Sequence, residues 1–147
     1  MMLKIPSLCS TLNRFSDLPL LLIRLSVGTL FFQTGMGKLT HLADTTAFFV
    51  SLHIPMPQFN ALLSATTEVV GGSFLILGLM TRIVCIPLSF VMVVAILTAQ
   101  LPTLSGLSDF IRLSEVDYLL FFLLFFCMGA GRMSVDYWLK RFFPYGR

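Results

Sequence analysis

Arg24 and Glu68 are the chain's foremost candidates for chemistry, because each is an isolated charge inside a long apolar stretch, residues 18–37 for the arginine and 62–80 for the glutamate. A lone charge in hydrocarbon is costly, so two of opposite sign read as an internal ion pair or as one intramembrane polar site. A carboxyl group in a low-dielectric cavity can carry a proton, and an arginine can hold a carbonyl oxygen or an anion. The competing reading is an inert buried salt bridge that fixes helix register.

Composition puts these residues in a membrane. The chain has 147 residues, 56% hydrophobic and 12% charged, whereas roughly a quarter of the residues in an ordinary soluble domain are charged. With a mean hydropathy of +0.90, only a membrane class fits. A spanning helix needs about 20 mostly apolar residues, and four windows qualify, at about 18–37, 58–80, 83–101 and 115–130. The expectation is an all-α, multi-pass integral membrane protein forming one domain over residues 1–147, with connections too short for a separate soluble catalytic unit. A transmembrane barrel is excluded because its strands alternate apolar and polar residues, and these runs do not. Gly35-Met36-Gly37 has the small-x-small form of a signal-peptide cleavage site, but Arg24 would interrupt the apolar core that a signal needs.

Orientation follows from the basic residues. Lys4, Arg14, Arg82, Arg132, Lys140, Arg141 and Arg147 fall on one side, and Lys38 and Arg112 on the other, so both termini are expected in the cytoplasm. The net charge of +3 then reads as a topology signal with some attraction to anionic membrane lipids, and no nucleic-acid partner is needed to explain it. Asp17 and Pro19 supply start signals for helix one. Asp44, followed by Phe48, Phe49 and Leu52, predicts a short interfacial half-helix on the outer face between helices one and two, ended by Pro55 and Pro57. Thr81-Arg82 reads as the tight link between helices two and three. The tail, 131–147, mixes Tyr137, Trp138, Phe142, Phe143 and Tyr145 with Lys140 and Arg141, the composition of an interfacial anchor.

Helical spacing assigns faces. Arg24, Gly28, Phe31, Gly35 and Lys38 share one face of helix one, and Glu68, Gly72, Leu75, Leu79 and Arg82 share one face of helix two, with Gly71 beside it. Glycines let membrane helices approach closely, so joining the two faces brings Arg24 toward Glu68. At 1.5 Å per residue, Arg24 lies about 9 Å and Glu68 about 18 Å from the cytoplasmic ends of their segments. An extended arginine spans much of that difference, and a water-filled pocket between the two is an equally good geometry. Two helix-end clusters are also expected, Lys38 with Glu115 or Asp117 outside and Arg82 with Asp136 inside, solvated snorkelling being the simpler account of both. Cys9, Cys85 and Cys127 form no CxxC and read as inert thiols. His41 and His53, with Asp44 nearby, lack further partners, so no metal site is assigned.

Four segments, Leu-Ile-Arg-Leu-Ser-Val-Gly at 22–28, Gly-Met-Gly-Lys-Leu at 35–39, Glu-Val-Val-Gly-Gly-Ser-Phe-Leu-Ile-Leu-Gly-Leu-Met-Thr-Arg at 68–82 and Gly-Ala-Gly-Arg-Met-Ser-Val-Asp at 129–136, together resemble the DoxX family over most of the chain. The resemblance implies a four-helix bundle in a bacterial inner membrane. It also implies a redox setting, since such proteins resemble small membrane subunits linked to quinone-coupled sulfur oxidation and to oxidative or thiol-stress defence. Arg24, Lys38, Glu68, Arg82, Arg132 and Asp136 fall on family motif positions with no catalytic role attached. The leading functional expectation is a subunit or accessory protein of a redox system, not catalytic alone. It would bind a quinone or a redox-enzyme partner between helices one and two, with Glu68 handling the proton and Arg24 holding the quinone oxygen. The alternatives are a non-catalytic scaffold or assembly factor that recruits partner enzymes and, less favoured, a small-molecule transporter, whose thin wall would call for a homo-oligomer.

Overall fold

The computed structural model describes residues 17–101, 106, 110–131, 134–136 and 138. The described residues form five α-helices and no strand: α1 (Asp17–Thr40), α2 (Leu42–Ser51), α3 (Pro57–Leu77), α4 (Thr81–Ala95) and α5 (Ser114–Met128). A π-helical segment, Ile96–Gln100, carries α4 onward. Three helical stretches, Asp17–Thr40, Pro57–Leu77 and Thr81–Gln100, are long and apolar enough to cross a membrane. At 15 residues, α5 falls short of the usual spanning length of about 20.

Local chemistry fixes the helix ends. Asp17 lies in the first turn of α1, where a carboxylate suits the positive end of the helix, and α3 starts on Pro57, a residue with no amide hydrogen to leave unsatisfied there. The end of α3 falls earlier than expected. Gly78 adopts a left-handed backbone (φ 68), its N–H donates to Leu75 O, and the Leu79 N–H donates to Phe74 O, the pair of bonds that closes a helix C-terminus. The α3–α4 turn is therefore 78–80, and Thr81 and Arg82 already belong to α4. Helix α1 ends later than expected and takes Lys38 into its last turn.

The closest helix contact is between α1 and α3. A Cβ added at Gly72 would lie 2.6 Å from Phe32 N and 2.7 Å from Gly28 O, and one at Gly35 would lie 2.7 Å from Val69 N. The two backbones touch, running antiparallel. Gly71, the expected packing glycine next to Gly72, lies against Leu88 of α4. Beside the crossing, Leu20, Val27 and Phe31 of α1 join Leu75 of α3, Val84, Cys85, Leu88 and Met92 of α4, and Phe122 and Phe125 of α5 in one core. Phe31 meets Tyr118 and Phe122 edge-on, with ring centroids 5.3 and 5.1 Å apart, which seats α5 against α1. The expected short helix before α3 is present as α2, which buries none of its residues and packs on α3.

Gly72→Leu should therefore force α1 and α3 apart, at a cost of at least the ~1–3 kcal/mol usual for overpacking. Gly37→Leu, at a helical glycine with nothing within 4 Å, should stay within about 0.5 kcal/mol of the native protein. Thermal unfolding in detergent checks both, and equal midpoints for the two variants would contradict the backbone crossing.

Candidate functional site

Glu68 lies inside the α1–α3 contact with only 1% of its side chain exposed, and Lys38 Nζ is 2.5 Å from its Oε1. The Thr34 hydroxyl lies 3.3 Å from Oε2 and 3.1 Å from Phe31 O, sharing its one hydrogen between them, and the Ser64 hydroxyl donates to Oε1 at 3.5 Å. Each helix supplies two polar residues one turn apart, Thr34 and Lys38 from α1 and Ser64 and Glu68 from α3, the spacing at which side chains on one helix face meet. Lys38 is one-third exposed, so its ammonium links a buried carboxylate to the molecular surface.

The expected Arg24–Glu68 pair is not formed. The glycine crossing sets Arg24 opposite Gly78, where an added Cβ would lie 2.5 Å from an Arg24 guanidinium nitrogen. Glu68 is ten residues further along α3, about 15 Å away by helix rise. The estimate from segment ends failed because the N-terminal turns of α1 project past the α3–α4 turn, while Lys38, placed beyond the helix by its sequence, reaches Glu68 from the last turn of α1. Arg24, itself 2% exposed, donates from Nη1 to Ala130 O at 2.5 Å and feels the charge of Asp136. A quinone shared by Arg24 and Glu68 does not fit this geometry, since the two groups are far apart and the backbones between them are in contact.

Asp136 holds the same end of the molecule together. Its Oδ1 accepts from the Met80 N–H at 2.8 Å and its Oδ2 from the Thr81 N–H at 3.3 Å, while its own N–H donates to Gly78 O at 3.1 Å. The carboxylate thus caps α4 from a distant segment. Neither expected helix-end cluster forms among the described residues. Arg82 donates to Cys127 O at 3.1 Å, although it shares an open groove of about 560 Å³ with Asp136. Glu115 accepts from Gln100 at 2.9 Å, Asp117 is exposed in the first turn of α5, and Lys38 is taken by Glu68. Arg132 lies outside the described residues. Cys85 is buried and Cys127 exposed, both as free thiols, and among the described residues no group of three or more His, Cys, Asp or Glu could hold a metal ion. Sequence reasoning missed Thr34 and Ser64, although each stands four residues before a charged member of the pair.

Three apolar helices of spanning length, carrying a buried ion pair between two of them, define a membrane protein. The sequence model of the DoxX family matches residues 19–101, more than half of the chain, and the chain belongs to the DoxX family. It is 34% identical over 109 residues to a Bacillus subtilis protein named "Putative oxidoreductase CatD", covering 74% of this chain and 76% of that protein. It is 31% identical over 125 residues to an uncharacterized membrane protein of Mycobacterium tuberculosis, covering 78% and 77% of the two chains. No solved structure matches significantly.

Arg24 and Asp136 act on one junction, where the segment after α5 meets the α3–α4 turn. Asp136→Ala should cost about 1–2 kcal/mol as a lost helix cap, and Arg24→Gln about 1–3 kcal/mol through the stranded Ala130 carbonyl. Chemical unfolding in detergent should show the double variant losing less than the sum. Strict additivity would contradict a shared junction.

Proposed function

We propose that this protein is an accessory subunit of a redox system in a bacterial cytoplasmic membrane. In this reading α1, α3, α4 and α5 form a four-helix membrane bundle, both termini face the cytoplasm, and α2 rests on the outer interface. The Lys38–Glu68 pair moves the proton that accompanies electron transfer in a partner enzyme, which supplies the electron-carrying centre. A proton passes from the Lys38 ammonium to the Glu68 carboxylate, leaving an amine and a carboxylic acid; the carboxylic acid gives its proton to the partner enzyme, and the amine is reprotonated from the surface.

The observation that carries this reading is the asymmetry of the pair: Glu68 is sealed at 1% exposure while Lys38 is 33% exposed. A pair kept only for helix register needs no route to the surface. The oxidoreductase name of the Bacillus relative supports a redox setting.

Affinity capture from gently solubilised membranes should recover a redox enzyme with the native chain and with the Glu68→Gln chain alike. Turnover of the captured enzyme should fall by about a hundredfold or more in Glu68→Gln, the scale of a lost acid–base group, and Lys38→Arg, which keeps the charge but cannot give up a proton, should lose it as well. Recovery of chaperones or translocation components alone would contradict the proposal and mark the protein as an assembly factor.

A further inference from the structure

Arg82 stands at the start of α4, at the head of an exposed apolar stripe. Ile83, Ile86, Phe90, Val93 and Leu97 recur at helical spacing, and all are exposed, Phe90 to 68%. The stripe extends about 21 Å along the helix, longer than half of a hydrocarbon core of about 30 Å. Beside its head, Met80, Arg82, Ile83, Met128 and the 129–131 backbone line the open groove of about 560 Å³.

The guanidinium there is held in place. It donates to Cys127 O at 3.1 Å, and its Nε lies 3.4 Å from the position of a Cβ on Gly129, so the planar group lies against the groove wall. An arginine carries five N–H donors in a fork that matches phosphate, and the single bond to Cys127 leaves donors for a ligand. Of the two carboxylates in the groove, Asp136 is engaged with the Met80 and Thr81 amides, and Asp17 has its own interaction within the chain.

We propose that this groove binds one anionic phospholipid, with its phosphate on the Arg82 guanidinium and an acyl chain along Ile83, Ile86 and Phe90. Charge complementarity selects the headgroup, and the continuity of groove and stripe selects a lipid, since inorganic phosphate would use the cation and leave the apolar surface bare. The site is independent of the Lys38–Glu68 pair, which lies at the opposite end of the α1–α3 contact.

Native mass spectrometry and thermal unfolding of the full chain in an uncharged detergent test this with three probes: phosphatidylglycerol, phosphatidylcholine with the same acyl chains, and inorganic phosphate. Phosphatidylglycerol should be retained one to one and raise the unfolding temperature, phosphatidylcholine, whose choline ammonium would bring a second positive charge beside Arg82, should be retained at least about tenfold less well, and phosphate should have no effect. Arg82→Gln should lose the preference, Arg82→Lys should keep part of it, and Arg112→Gln, changing an exposed arginine before α5, should keep all of it. Equal retention of the two lipids by the native protein overturns the proposal even if Arg82→Gln fails to fold. Equal retention of phosphatidylglycerol by native and Arg82→Gln protein, or stabilisation by phosphate equal to that by phosphatidylglycerol, also overturns it.

Discussion

The backbone contact between α1 and α3 is the constraint on which the rest of the structure depends. In hydrocarbon two apolar helices gain nothing from hiding from water, so they associate through close packing and polar bonds. Gly28 and Gly35 on one helix and Gly72 on the other remove the side chains that would hold the backbones apart. Once the backbones touch, their register is no longer free. Lys38 must come down beside Glu68, and Arg24 must face Gly78. A buried carboxylate without its cation would be strongly destabilising, so the steric and the electrostatic fit select the same register.

Polar bonds to backbone groups close the far end of the contact. Arg24 binds the Ala130 carbonyl, and Asp136 binds the amides of Met80 and Thr81. Through these bonds α1, the α3–α4 turn and the segment after α5 become one junction. The two charged centres therefore divide the labour. Arg24 has its guanidinium directed at a carbonyl oxygen within the fold, whereas Glu68 keeps a cation that reaches the surface.

Much of this was legible in the sequence, because helical period alone places Arg24 with Gly28, Gly35 and Lys38, and Glu68 with Gly72. The faces were therefore readable, and so was their contact. Register was not, since it depends on where helices stop, and residues near helix ends carry weak signals. Gly78 ends α3 ahead of the apolar residues Leu79 and Met80, which extend the hydropathy window without extending the helix. Lys38 looked like a flanking charge after Gly37, yet α1 continues through it to Thr40. Asp136 was matched to Arg82 because both are charged and close to the same helix ends. The two amides at the start of α4 are an equally good partner for a carboxylate, and a sequence does not display them. Thr34 and Ser64 were overlooked because hydroxyl residues in membrane helices often bond to their own backbone, as Thr66 and Ser73 do here and as Thr34 also does at Phe31 O.

Two double-mutant cycles on Glu68, one with Lys38 and one with Arg24, test the central claim most directly, with unfolding free energies measured in the same detergent. Neutralising one member of a buried pair costs about 3–5 kcal/mol, and the partial exposure of Lys38 puts this pair near the low end. The account predicts a coupling of about 1–3 kcal/mol between Lys38→Met and Glu68→Gln, and additivity within about 0.5 kcal/mol between Arg24→Gln and Glu68→Gln, as expected for sites that share no contact. Strong coupling of Glu68 to Arg24 together with additivity toward Lys38 would contradict the register set by the glycine crossing, and with it the assignment of Lys38–Glu68 as the proton-handling pair.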